Sequence, residues 1–187
     1  MSIGNARREG GFSLVEQIVF IVVVGVAVAG VLLALNVVTR GSVDPMIQKQ
    51  ALAVAEAVLE EVQLQPFTYC DPDDANAATA LNAAGCATTA EALGPEPGES
   101  RVSATAPFDN VNDYHGFSMS GGITDVAGNS IPGLGGYSVS VSVAGQALGG
   151  IASSDALLIT VTVTHPAITP GLVVHGYRVR YAPNALP

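Results

Sequence analysis

Gly11-Phe12-Ser13-Leu14-Val15-Glu16-Gln17, running directly into the apolar stretch Ile18–Leu35, decides how the rest of this 187-residue chain is read. The stretch holds 18 residues without a charge, and only glycine breaks its apolar run. At about 1.5 Å per residue, ~20 apolar residues cross the ~30 Å hydrocarbon core of a bilayer. With Phe12 to Gln17 before it and Asn36 to Val38 after it, the segment is long enough to span. Arg7 and Arg8 precede it and Arg40 follows it, a modest bias that puts the N-terminus in the cytoplasm and most of the chain outside. Glu16 is the odd residue, because an ionised carboxylate carried deep into a bilayer costs about 2.5–3.5 kcal/mol on insertion scales. It either snorkels to the headgroups from its place near the helix end or waits for a cation.

Gly-Phe-Ser-Leu-Val-Glu followed by a long apolar run resembles the type IV prepilin signal. The resemblance implies that a prepilin peptidase in the inner membrane cuts between Gly11 and Phe12 and methylates the new N-terminal Phe12. Glu16 then becomes the fifth residue of the mature chain, and its carboxylate pairs with the Phe12 amine of a neighbouring subunit. A buried pair of that kind matters for register, since leaving one charge uncompensated is costly. Ser13 and Val15 stand where Thr and Ile are commoner in the family, and Gln17 adds an amide; none of these removes what cleavage needs. Ala27-Val28-Ala29 before Gly30 has the small-x-small form of an ordinary signal peptidase site. The apolar run continues through Val31, Leu32, Leu33 and Leu35, however, where a cleavage region turns polar, and no cysteine follows Ala29 to make a lipoprotein.

Beyond Arg40, Gly41-Ser42-Val43-Asp44-Pro45 predicts a helix break and restart, with Asp44 as N-cap and Pro45 in the first helical position. Pro45 to Gln65 is rich in good helix formers, and Pro66 ends it. Ile47, Ala51, Val54, Ala55, Val58 and Val62 recur at three- and four-residue spacing, an apolar face for a sheet to pack on. Tyr69 to Ser100 reads as a loop with a short helix near Asn76 to Ala84. Val139, Val141 and Val143 alternate with serines, and Ile159, Val161 and Val163 with threonines, so both stretches predict half-buried strands. Pro166 to Gly171 reads as a turn, and Leu172 to Ala182 as a last strand with Arg178 and Arg180 toward solvent. Phe117 to Ile123 and a piece around Val102 are further strand candidates. The fold class is therefore α+β: a long N-terminal transmembrane and assembly helix, broken near 40–45, packed on an antiparallel β-sheet meander, as the resemblance implies for a pilin. The expected organisation is a leader at 1–11, a transmembrane helix at 12–39, a second helical segment at 40–66 and a β-rich head at 67–187.

Composition narrows the function classes. From Gly41 onward there are four basic and fourteen acidic residues, which excludes nucleic acid as a natural partner and offers little to an anionic lipid surface. Cys70 and Cys86 form an even pair in an exported segment, which reads as a disulfide. In the chain-entropy model a loop of that length contributes roughly 3 kcal/mol. Asp71, Asp73 and Asp74 suggest a hard cation such as calcium, but the D-x-[DN]-x-[DN]-G series is absent, so they read as solvated turn acids. Asp109 and Asp113, in the polar knot Phe108 to Phe117, are weaker candidates of the same kind beside Asx turns, and His115 reads as a hydrogen-bonded turn residue. No metal or cofactor is otherwise indicated. Gly116-Phe117-Ser118-Met119-Ser120 misses the last glycine of a nucleophile elbow, and His165 and His175 have no Cys or Glu at ligand spacing, so no catalytic residues are assigned.

Ser42-Val43-Asp44-Pro45-Met46, Glu60 through Phe67 and Phe108 through Phe117 are similar to the D-type minor pilins of the mannose-sensitive haemagglutinin (MSHA) pilus. The likeness implies a low-abundance subunit, held in the inner membrane and then assembled with other pilins into an extracellular pilus for biogenesis or adhesion. A minor pseudopilin of type II secretion shares the same anchor, and a membrane-tethered adhesin would need no cut at Gly11. The mass of the mature chain separates these possibilities: a filament subunit begins at methylated Phe12, a secreted domain at Gly30 and a static anchor at Met1. We expect methyl-Phe12, and either other terminus excludes the pilin class.

Overall fold

The computed structural model describes residue 11 and residues 13–186, with only the backbone for 36–44. Arg7, Arg8 and Phe12 lie outside the described residues. The chain divides into two compact units, Met1–Pro45 and Met46–Pro187.

Helix α1 runs Leu14–Leu64 as one element with Pro45 inside it, which corrects the break expected at 40–45. A proline in a helix interior removes one hydrogen bond and costs about 3 kcal/mol. Good helix formers follow it from Met46 to Gln65, and the boundary between the two units falls at Pro45. Pro66 follows the last turn, as expected.

In the second unit the apolar stripe of α1 forms half of the core. Ala51, Val54, Ala55, Val58 and Val62 are buried, with Ile47 and Leu59 packed at their margin. The other half comes from an antiparallel sheet in the order β1 (Ser118–Met119), β2 (Ser138–Gly145), β3 (Ala156–His165) and β4 (Ile168–Val179). Val139, Val141 and Val143 of β2 stand opposite Val163, Val161 and Ile159 of β3, and all six are buried. Each contributes about 1.5–3 kcal/mol of transfer free energy before the cost of ordering the chain. The helix comes close to β4 at Gly176, where an added Cβ would lie 2.8 Å from Leu59 Cδ1 and 2.6 Å from Gln63 Nε2. Gln63 uses that proximity to donate to the Tyr177 carbonyl at 3.3 Å.

Several local expectations are corrected. The helix predicted at 76–84 is a series of turns followed by a 3-10 turn at Ala83–Gly85: the Asn76 N–H goes to the Asp74 carboxylate, the Asn76 carbonyl accepts from both Thr79 and Ala80, and Asn82 caps the 3-10 turn, so no helical ladder develops. The turn predicted at 166–171 shrinks to Pro166 and Ala167, so β4 begins at Ile168 and includes a cis Thr169–Pro170 bond. Only Ser118 and Met119 of the 117–123 stretch join the sheet, and Val102 lies in a turn. Arg180 does not face solvent. Its guanidinium lies 3.7 Å from the Phe67 ring centre and 4.4 Å from that of Tyr69, donates to the Thr68 and Ser154 carbonyls, and pairs with Asp155. Tyr181 takes the exposed place instead.

The connection from α1 to β1 is fastened by Glu61. Its carboxylate accepts from Arg101 Nε at 2.6 Å and Nη2 at 2.8 Å, and from the Tyr114 hydroxyl at 2.8 Å. Arg101 also donates to the carbonyls of Thr124 and Asp125. The two side chains are only 6% and 18% exposed, so removing Arg101 leaves the Glu61 charge largely withdrawn from water with the Tyr114 hydroxyl as its remaining side-chain donor. Arg101→Ala is therefore expected to destabilise the second unit by about 3–5 kcal/mol. Arg101→Met combined with Glu61→Leu should recover much of that loss. Thermal unfolding followed by tyrosine near-ultraviolet circular dichroism measures both; equal losses in the two variants would refute the uncompensated-charge account.

Candidate functional site

Two places carry unusual chemistry. The first is the N-terminal part of α1. Leu14–Leu35 is long and apolar enough to cross a membrane, with a mean hydropathy of 3.2 and none of it buried within the protein. Glu16 sits in its first turn and is exposed, its backbone N–H donating to Ser13 Oγ at 3.3 Å. Gly11 is exposed just before the helix. Phe12, the expected amine partner, lies outside the described residues.

The second place is the long connection between α1 and β1. Cys70 and Cys86 are joined in a disulfide, as the sequence predicts. The chain then pairs back on itself, with Asp71 N–H bonding the Thr89 carbonyl and Glu91 N–H the Tyr69 carbonyl. That return places Glu91 beside the 69–71 segment. Further on, the Gly94 N–H bonds the Asn112 carbonyl and the Val111 N–H bonds the Pro66 carbonyl, which fixes the 94–99 loop and the 3-10 turn Val111–Tyr114 against the end of α1. Asn110 caps this turn, and Asp113 closes the capping box by accepting the backbone N–H groups of Asn110 at 2.7 Å and Asp109 at 3.0 Å. The polar knot contains the expected Asx turn, Asn112 N–H donating to Asn110 Oδ1, and it is internal, with Asn110 and Asp113 fully buried.

The sequence candidates separate into two roles. Asp74 is not a solvated turn acid: it is 7% exposed and accepts from the backbone N–H groups of Asn76, Ala87, Thr88 and Thr89 and from the Thr88 hydroxyl, all within 2.6–2.9 Å. Those donors, Thr89 and Ala87 foremost, hold its carboxyl well below the usual carboxylate range. Asp71, Asp73 and Asp109 converge instead, each offering a carboxylate oxygen within 4.8 Å of the others. Glu91, Glu96 and Asp113 make a second such set, and Asp71, Glu96 and Glu99 a third, so that shared members join seven carboxylates into one cluster. Sequence reasoning missed Glu91, Glu96 and Glu99. The signal available for them was their density around Gly94-Pro95 in a segment the disulfide turns back on Asp71.

Burial, reinforced by neighbouring carboxylates, pushes Glu91 up to about 9 and Glu99 up to about 8. Burial also raises Asp113 to about 7 against the pull of its two backbone donors, and Asp109 to about 6 with help from Asp71 and Asp73. The ion pairs among the described residues, Arg101–Glu61 and Arg180–Asp155, include no member of the cluster. The histidines are occupied elsewhere: His115 Nδ1 lies 2.7 Å from the Val143 carbonyl oxygen, His175 Nδ1 3.0 Å from Thr160 Oγ1, and His165 Nδ1 accepts from the Ala167 N–H. A groove of about 430 Å³ also opens beside α1, lined by Ala53, Ala57, Val126, Ile131 and Leu134.

The two kinds of carboxylate give opposite pH dependences. The cluster binds protons more tightly when folded, so it loses stability as pH rises from ordinary carboxylate values toward the raised ones. Asp74 contributes above its unfolded value and loses that contribution as pH falls. In buffer containing a chelator, the unfolding temperature of the second unit should rise as pH is lowered from about 9 to about 5, and drop again below about 4. Glu91→Gln should flatten the alkaline limb, and Asp74→Asn the acid one. A profile flat from about 5 to about 9 would contradict the assigned environments.

Comparison with protein-family models, curated proteins and solved structures gives no match to this chain.

Proposed function

We propose that this chain is a low-abundance subunit of a type IV pilin-like filament, of the MSHA minor pilin kind, anchored and assembled through the N-terminal part of α1. The observation that carries the reading is the Leu14–Leu35 helix, wholly exposed in the chain by itself and bearing one carboxylate, Glu16, in its first turn. Apolar side chains in such number require a non-aqueous surrounding, since each exposed Val, Leu, Ile or Phe forfeits about 1.5–3 kcal/mol in water. A bilayer supplies that surrounding, and so do the helices of neighbouring subunits. Only the second also accounts for Glu16: a bilayer leaves the carboxylate to snorkel, whereas a neighbour trimmed at Gly11–Phe12 brings a free amine to the same depth. The pair would then select one register between helices that are otherwise uniformly apolar. The acidic second unit, with its disulfide-fastened connection, suits an exported location.

Glu16→Ala should still be cleaved and should still enter the membrane, because the apolar run is unchanged. Its recovery in sheared filaments should fall by tenfold or more, as expected for losing about 1.4 kcal/mol or more per subunit contact. Immunoblots of filament and membrane fractions provide the measurement. Wild-type recovery in filaments would sink the assembly role of Glu16, and absence of the unaltered chain from filaments would sink the filament reading.

A further inference from the structure

The carboxylate cluster contains a feature that solvated acids do not have. Asp113 is fully buried, and its Oδ2 is fixed by the N–H groups of Asp109 and Asn110, while Oδ1 has no hydrogen-bond partner and no access to water. Neither oxygen of Glu91 is reached by a protein donor, and both are withdrawn from solvent. Asp109 Oδ1 is in the same condition. A buried acceptor left unsatisfied is expensive, and an unpaired carboxylate more so. Glu61 and Asp74 show how this chain treats a structural carboxylate: it surrounds the group with donors. At both oxygens of Glu91 and at Asp113 Oδ1 that provision is missing. Arg180, the cation near enough to be influenced by Glu91, is already engaged by Asp155, by two carbonyls and by two aromatic rings.

We propose that Glu91, Glu96 and Asp113 bind a calcium ion, with Asp71, Asp109 and Glu99 completing the surrounding negative field. The donor set is entirely carboxylate oxygen, which selects a hard cation over zinc or copper. The ligand oxygens lie within 4.8 Å of one another, which is the span available to ligands on one ion at about 2.3–2.6 Å. Magnesium fits less well, because it requires a stricter octahedron and gives up its water reluctantly. The ion would join three segments distant in sequence, at 91, 96 and 113, in the part of the chain with the least regular structure.

The full-length chain in detergent micelles, freed of metal with a chelator and dialysed to pH 7.5, is titrated calorimetrically with calcium chloride. We expect at least one ion per chain at a dissociation constant at or below about 1 mM, the upper end for extracellular calcium modules. Saturating calcium should raise the unfolding temperature, and magnesium chloride should bind at least tenfold more weakly. Glu91→Gln, whose side chain makes no protein hydrogen bond to lose, should reduce calcium affinity by tenfold or more while folding as the parent does by circular dichroism. Glu96→Gln serves as the second variant should the first be misfolded. No heat and no thermal shift up to 10-fold above that limit, an equal response to magnesium, or undiminished binding in both folded variants would each overturn the site.

Discussion

The second unit depends on how the carboxylate of Glu61 is compensated. It lies at the edge of the apolar stripe of α1, one residue before the buried Val62, and gathers Arg101 and the Tyr114 hydroxyl from the last third of the connection that follows. Arg101 in turn holds the carbonyls of Thr124 and Asp125 beyond β1. One acid thereby sets the path of a segment in which hydrophobic burial has little purchase. Between Phe67 and Phe108 the side chains are small or polar, and the second apolar cluster amounts to Cys70, Ala77 and Ala80 with Tyr69 and Cys86 at its margin. Hydrophobic area of that size does not order some forty residues against their conformational entropy. Carboxylates with directed donors perform that work, Glu61 at one end and Asp74 in the middle, with the disulfide restricting the unfolded alternatives.

This division explains what the sequence made legible. Helix and strands declare themselves through periodicity, because each buries one face against a single apolar layer. The stripe from Ile47 to Val62 and the alternations around Val141 and Val161 are therefore found where they were predicted. Cys70 and Cys86 were legible for a different reason, since two cysteines in one chain leave one intramolecular pairing. The connection was not legible, because a polar group's role depends on partners far away in the chain. Asp74 and Asp73 are adjacent and chemically identical, yet one is enclosed by donors from 76 and 87–89 and the other joins the cluster. Arg178 and Arg180 illustrate the same limit at the end of β4. Both were expected toward solvent, but Leu172, Val174 and Gly176 make the core-facing side of β4; Arg178 continues that side opposite the buried Leu157 and is half-buried, and the Phe67 and Tyr69 rings with Asp155 hold Arg180 inward.

Carboxylates removed from water thus recur along the chain, and their compensation distinguishes structural from functional ones. Glu61 finds a guanidinium and a hydroxyl; Asp74 finds four backbone N–H groups. Both are complete within the chain, and both fasten local structure. Glu91 and Asp113 Oδ1 are incomplete within it. Glu16 differs from these: it is exposed, in the first turn of the apolar helix, and only the proposed assembly would remove it from water.

An incomplete carboxylate has a definite thermodynamic consequence. Its cost is carried by the isolated chain and relieved only when a cation arrives, so the relief is coupled to binding rather than to folding. In the proposed filament the cation that would match Glu16 is an organic amine at the same depth, since a metal ion would have to shed its water there without enough oxygen ligands to replace it. For Glu91 and Asp113 the reverse holds: several carboxylates share one small volume, and a single amine could neutralise only one of them, whereas a divalent ion takes several oxygens at once. On the two proposals, Glu16 would look to a neighbouring subunit and the cluster to a dissolved ion, and ligand density is what tells the two apart.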